Sequence, residues 1–266
     1  MNHSRRVAAD FVLILLAALH CATSAFALDF AINNKVVDGR SLPYSISVTG
    51  PIQKGDFEQL EKLIDERPVD FFFSSAVIYL DSSGGDLGEA LKIGTLFKKL
   101  RSRIFVRNQC VSACFFVYVM SNVRYLTGPD GRLGVHRPYF DKSKFRELTI
   151  GQAQRKYAAL ESEARAILQQ LRVPSSIVEK MFEASSDNIY WLSESEVRSL
   201  GHLDRALEEL IVASCGRIDS LSGDSFVRCI NGLEKKDKFL AFDSELRGNK
   251  IWEARKEDLR NSLSIK

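Results

Sequence analysis

Residues 76–100 hold the tightest constraint on what this chain can become. Ala76–Leu80 (AVIYL) is a short apolar run bounded by turn residues, which reads as a buried strand. It runs through Asp81 into Ser82-Ser83-Gly84-Gly85-Asp86, a turn. A helix follows to about Leu100, with Leu87, Ala90, Leu91, Ile93 and Leu96 on its inner face. Asp86 is placed to cap it. A buried strand feeding a helix needs layers of both kinds, so the expectation is an α/β fold.

The same alternation continues on both sides. Residues 28–42 are polar and extended, and Tyr44–Thr49 (YSISVT) alternates as a strand, ended by Gly50-Pro51. Asp56–Glu66 has Phe57, Leu60, Leu63 and Ile64 at helical spacing. Ile104–Arg107 reads as a short strand and Ser112 to about Met120 as a very apolar helix. Arg124–Thr127 and Leu133–His136 are further strands, separated by a turn at 128–131. Strand-strand-helix units thus recur between 44 and 137. Beyond them the character shifts. Thr149 to about Leu171 is a long polar amphipathic helix, and Pro174 opens another to about Ala184. Ile189–Leu192 is a short strand, and Ser193 caps a helix ending at Gly201. From Ser214 the chain is polar, with a mixed-charge helical tail over 233–266.

Residues 1–27 have the layout of an export signal. Arg5 and Arg6 supply the positive start, Phe11–Leu19 the apolar stretch, and Ala25-Phe26-Ala27 the small-x-small site, predicting cleavage before Leu28. The stretch falls short of the about 20 apolar residues that span a bilayer. The expected destination is periplasmic or secreted. The domains expected are then the signal at 1–27, an α/β domain at 28–212 and a small extension at 213–266.

Export changes how cysteines read. Cys21 leaves with the signal, and Cys110, Cys114, Cys215 and Cys229 remain. Cys215 and Cys229 enclose 13 residues containing Gly216, Gly223 and Asp224, which suits a disulfide clip. Cys110 and Cys114 could also pair, but a helix through Val111–Cys114 would give them poor disulfide geometry. A zinc site would need four ligands. After cleavage only His136 and His202 remain as histidines, so no metal and no cofactor is expected.

Composition narrows the function classes. With 37 Lys+Arg against 34 Asp+Glu, the net charge of +3 is too small to argue for nucleic acid. No P-loop, zinc finger or dinucleotide fingerprint is present. Three segments carry the chemistry. The paired Gly84-Gly85 lets backbone N–H groups approach a bound group closely. Ser112, in Cys110-Val111-Ser112-Ala113-Cys114, stands at a helix start, where the dipole and the next N–H favour an oxyanion. His136, in Gly134-Val135-His136-Arg137-Pro138, ends a strand and is the better-placed base of the two histidines.

In this order the segments resemble the proteolytic-subunit family of the ATP-dependent Clp protease, within the ClpP/crotonase superfamily. The resemblance runs from about 44 to 204. The strand-GG-helix segment looks like that family's oxyanion loop, and Ser112 falls at its nucleophile's place. Arg124-Tyr125 leading to His136-Arg137-Pro138 is similar to the stretch carrying its general base. Asp187, then Tyr190-Trp191-Leu192-Ser193 and Gly201-His202-Leu203-Asp204, looks like its third member and the motif after it. The chain looks closer still to an uncharacterised exported branch with Cys-x-Ser-Ala-Cys and Gly-x-His-Arg-Pro. The resemblance implies a ClpP/crotonase-like spiral; the family's strand-bearing handle between its His and Asp is replaced here by the helical stretch read at 149–184. The resemblance also implies a Ser112–His136–Asp187 triad and an oxyanion hole from Gly85 and Ala113, with Gly84 serving the turn.

The function expected is an exported, ATP-independent serine hydrolase, most of all a peptidase acting through an acyl-enzyme on peptide or unfolded polypeptide. A homo-oligomer is among the implied assemblies. The alternative is a catalytically inactive binding or assembly module on the same fold. An acyl-CoA enzyme is the third, disfavoured because CoA is cytosolic.

Overall fold

The computed structural model describes residues 27–37, 40–66, 77–100, 102–127, 130–140, 146–201 and 205–216. Asp29–Val37 (β1) and Arg40–Thr49 (β2) form an antiparallel pair with Asp29 opposite Thr49. From β2 to β4 the sheet is parallel, so each of these steps requires a crossover. Helix α1 (Asp56–Glu66) makes the first, burying Phe57, Leu60 and Ile64. It delivers β3 (Val77–Ser82), with Ile46 opposite Ile78 and Val48 opposite Leu80. Helix α2 (Leu87–Lys99) makes the second. Asp86 caps it, accepting from the Glu89 N–H, as the turn sequence predicts. Strand β4 (Arg103–Val111) then lies parallel to β3, with Ile78 opposite Ile104.

Strand β4 is the hub. Its first half, Arg103–Val106, pairs with β5 (Val123–Leu126); its last residues, Gln109–Val111, pair with β6 (Arg132–Val135). Both pairings are parallel. Helix α3 (Ala113–Met120) connects β4 to β5. Every residue from Ala113 to Val119 is buried. Each fully buried Phe or Val there contributes about 1.5–3 kcal/mol. The sheet order is β1-β2-β3-β4-β6-β7, with β5 beside β4.

The insertion after β6 is helical, as predicted: α4 (Ile150–Gln170) and α5 (Ser175–Glu183). Thr149 closes a capping box with Gln152 at the start of α4. The two-residue β7 (Tyr190–Trp191) returns antiparallel to β6, with Gly134 opposite Trp191. Ser193 caps α6 (Glu194–Leu200), again with a capping box. An eleventh-hour helix, α7 (Arg205–Cys215), lies where the sequence reading assigned none. No helix among the described residues is long and apolar enough to cross a membrane.

The fold class is α/β with a mixed sheet. The strands expected near 44–49, 76–80, 104–107, 124–127 and 133–136 are all present. The correction is the length of β4, which runs on through Asn108 to Val111. Arg107, Asn108 and Gln109 hid it, because polar residues interrupt the alternation where the register shifts between Leu80 and Ser82. Residues 1–26 of the expected 1–27 signal, His202, Cys229 and the tail over 233–266 lie outside the described residues.

One buried cation locks the helices to the sheet. Arg124, 7% exposed, donates from Nη1 to the carbonyls of Val119 (2.9 Å) and Ser121 (3.3 Å) at the end of α3. It also donates to Leu200 (2.6 Å) and Gly201 (3.1 Å) at the end of α6. These are carbonyls that helix ends leave without partners, and a cation there also meets the negative dipole end. Arg124→Met strands several buried carbonyls, so urea unfolding should show a loss of about 2–4 kcal/mol with an unchanged m-value.

Candidate active site

Strands β4 and β6 run side by side and end together, with Val111 opposite Gly134. The next residue, Ser112, donates its backbone N–H to the Gly134 carbonyl at 3.0 Å. His136 follows two residues after Gly134. The sheet thus places Ser112 and His136 at the C-terminal ends of neighbouring parallel strands, the usual place for a site in an open α/β sheet.

Ser112 is not part of helix α3. It is the sharp turn between β4 and α3, with φ 58° and ψ −122°. This is a sparsely populated conformation for a residue with a Cβ and costs about 1–3 kcal/mol. Its side chain makes no capping hydrogen bond. A serine on a strained strand-to-helix turn, with its hydroxyl uncommitted, is the arrangement that presents a nucleophile. Strain of this kind persists only where surroundings hold it, and three features do so here. The Ser112–Gly134 hydrogen bond is the first.

The second is a disulfide between Cys110 and Cys114, with Cα atoms 5.2 Å apart and both residues fully buried. It brackets Ser112, tying the end of β4 to the first turn of α3. The expectation of poor geometry is corrected: Cys110 and Val111 are strand, and the turn at Ser112 brings the two cysteines together. The signal that could have found this pair was a serine between two cysteines at a strand–helix junction. Cys215 is also disulfide-bonded, and its expected partner Cys229 lies outside the described residues.

The third is the paired-glycine loop. A Cβ on Gly84 would stand 2.4 Å from the Val111 carbonyl oxygen and 2.7 Å from the Ser112 Cβ. Its φ of +86° also suits glycine. A Cβ on Gly85 would stand 2.0 Å from the Ile52 carbonyl oxygen. The loop is stitched to the segment after β2: Ile52 N–H donates to Gly84 O (2.8 Å) and Asp86 N–H to Ile52 O (2.9 Å). Gly84 is fully engaged, since its own N–H donates to Ser82 Oγ at 3.1 Å. Among the described residues the N–H groups of Gly85 and Ala113 have no acceptor. Ala113 N lies 2.9 Å from where a Gly84 Cβ would be, so one of the two free donors borders the glycine loop directly. Ala113 is the first residue of α3, where the macrodipole is positive.

His136 is 8% exposed, its ring 5.7 Å from that of Tyr139. Its Nδ1 hydrogen-bonds to the Arg137 carbonyl at 3.0 Å. An imidazole that donates from Nδ1 keeps Nε2 as an acceptor, the tautomer a general base requires. Arg137 is itself held twice: its N–H donates to Ala184 O (3.2 Å) and its Nε to Phe182 O (3.1 Å). No sequence signal marked Arg137 or Ile52 for these roles, because both act through their backbone. Asp187 lies in the exposed turn between α5 and β7, three residues before Tyr190, which pairs with Val135. Among the described residues no hydrogen bond joins Asp187 to His136, or His136 to the Ser112 hydroxyl.

An open polar groove of about 580 Å³ lies along β3, β4 and β6, lined by Asp81, Asn108, Gln109, Asp130 and Arg132. Asn108 donates to Asp81 across it at 2.5 Å. Among the described residues no three His, Cys, Asp or Glu side chains converge as a metal site would.

No protein-family profile matches the chain. No curated protein matches it either. Among solved structures it is similar to a mutant ClpP1 from Listeria monocytogenes, at 16% identity and a TM-score of 0.44, covering 59% of this chain and 86% of that one. It is also similar to a mutant of the membrane-bound stomatin-specific protease 1510-N, at 18% identity and a TM-score of 0.42, covering 64% of this chain and 83% of that one.

Two outcomes follow from this geometry. Gly84→Ala, forced against backbone at a positive φ, should cost more than about 2 kcal/mol in urea unfolding. Tryptic mapping without reductant should return peptide 108–124 two hydrogens lighter than its reduced form, as a Cys110–Cys114 bridge requires.

Proposed function

We propose that the protein is an exported serine hydrolase, acting on peptide or unfolded polypeptide without ATP. The observation that carries this reading is the strained turn at Ser112, with its hydroxyl uncommitted and the free N–H groups of Gly85 and Ala113 at hand. In the proposed reaction Ser112 Oγ attacks a carbonyl carbon and His136 Nε2 takes the hydroxyl proton. The two N–H groups stabilise the oxyanion, and His136 returns the proton to the leaving group. Water then releases the acyl group by the same route. Catalytic hydrogen bonds commonly tighten only when substrate is bound, and the Ser112–His136 bond would form then. Export is supported by the buried Cys110–Cys114 disulfide, which suits an oxidising compartment. The polar groove along β3, β4 and β6 offers hydrogen-bonding groups to an extended chain.

For the third member of the triad, the Arg137 carbonyl already orients His136 Nδ1. Asp187 then supports the imidazolium from its turn rather than fixing the tautomer. The exposure of Asp187 is also the one observation that favours the second reading, an inactive binding module on the same fold.

A fluorophosphonate probe separates the two. Intact protein should be labelled at Ser112, and Ser112→Ala should abolish the label. His136→Ala should slow labelling by roughly 10²–10⁴-fold. Asp187→Asn should slow it less, by under about tenfold, because the backbone carbonyl still holds the ring. Folded wild-type protein that takes no label would leave the binding module as the reading.

A further inference from the structure

Among the described residues one buried acid has no cation beside it. Asp56 is 2% exposed at the start of α1. One carboxylate oxygen accepts the N–H of Gln53 at 2.5 Å and the N–H of Leu28 at 3.4 Å. Among the described residues no Lys or Arg pairs with it. The carboxylates of Glu89 and Glu58 act on it, and Lys92 is committed to those two, at 2.7 and 3.4 Å. Burial pushes the Asp56 carboxyl above its ordinary value despite those two hydrogen bonds, and Glu89 and Glu58 add to it. A carboxylate in such a place calls for a positive partner.

Leu28, itself 2% exposed, is the residue at which the signal sequence predicts the cut. We propose that removal of the leader between Ala27 and Leu28 creates an α-ammonium that pairs with Asp56, and that this ion pair positions the Gly84-Gly85 loop beside Ser112. Hydrolysis of the Ala27–Leu28 peptide bond by a signal peptidase consumes one water. The leader leaves with the Ala27 carboxylate, and the chain keeps the Leu28 nitrogen, which takes up a proton. One amide N–H at 3.4 Å becomes a cation with three donors. Cutting occurs before the exported chain folds, so burial of Leu28 is no obstacle.

The path to the site is short and stiff. Asp56 holds Gln53; Ile52, next to it, exchanges hydrogen bonds with Gly84 and Asp86. The Ile52 carbonyl presses against Gly85 with no room for a Cβ. A shift at 52–53 therefore moves the Gly85 N–H, one of the two free oxyanion donors. Asp56 and the Leu28 terminus are positioning residues, acting through Ile52. The proposal rests on the serine-hydrolase reading for its effect on Ser112.

The test begins with the full chain exported under its own leader and its N-terminus read by intact mass, expected at Leu28. This protein is compared with the same chain retaining Ala27, using the rate of Ser112 labelling by a fluorophosphonate and the labelled fraction. The Leu28 form should label at least about tenfold faster, since an ångström of misplacement can cost up to about 10²-fold. The labelled fraction should be equal, which a folding defect would not leave equal. Asp56→Asn should bring the Leu28 form down to the rate of the extended chain and add nothing to the extension, the mark of one shared interaction. NMR titration should place the Leu28 α-amino group at least one unit above its ordinary value of about 8. Equal labelling rates for the two forms, or an ordinary α-amino titration in folded protein, would overturn the proposal. If neither form is labelled, the hydrolase reading falls, and the pairing stands or falls on the titration alone.

Discussion

The hydrogen bond from the Ser112 N–H to the Gly134 carbonyl is where strand, helix and site meet. It extends the parallel β4–β6 ladder by one step and then stops it, because Ser112 turns to φ 58° and α3 begins. On one side of that bond lies a helix buried along almost its whole length, which cannot shift without disturbing the core. On the other lies the strand that ends in His136. The strain at Ser112 is the sum of what these two rigid bodies demand of a single residue. The Cys110–Cys114 bridge restrains the same turn from behind. A loop closed over so few residues restricts the unfolded chain little compared with a long one, so its main consequence is local.

Polar groups buried around this frame have defined tasks. Arg124 gathers carbonyls from the ends of α3 and α6, and so joins the helix that begins at the site to the segment that follows β7. Glu89 accepts the Phe57 N–H at 3.0 Å and holds Lys92, joining the starts of α1 and α2. Asp56 opens α1, next to the Phe57 whose N–H Glu89 accepts. The loop between β3 and α2 lies on this shelf, with Ile52 as the contact. The glycine loop is pressed between the turn at 111–113 and Ile52, with no room for a Cβ toward either.

Much of the scaffold was legible in residues alone. AVIYL, the SSGGD turn and the helix after it were read in place because apolar periodicity, paired glycines and a capping Asp are local signals. The helical insertion and its capping residues were legible for the same reason. The second half of β4 was not, since Arg107-Asn108-Gln109 carry no strand pattern; they are held there by β3 and β6 across a register shift.

The candidate site divides along the same line. Sequence by itself singled out the candidate side chains, Ser112 and His136, and the turn that must be glycine, because reactivity and backbone freedom are properties of residue types. Tertiary structure alone decided what those residues lean on. The Arg137 carbonyl at His136 Nδ1, the Ile52 carbonyl against Gly85, the disulfide behind Ser112 and the burial of Leu28 against Asp56 are contacts of backbone and of distant segments. A backbone carbonyl has the same chemistry at every position, so no sequence marks which one will face an imidazole; only the path of the folded chain does.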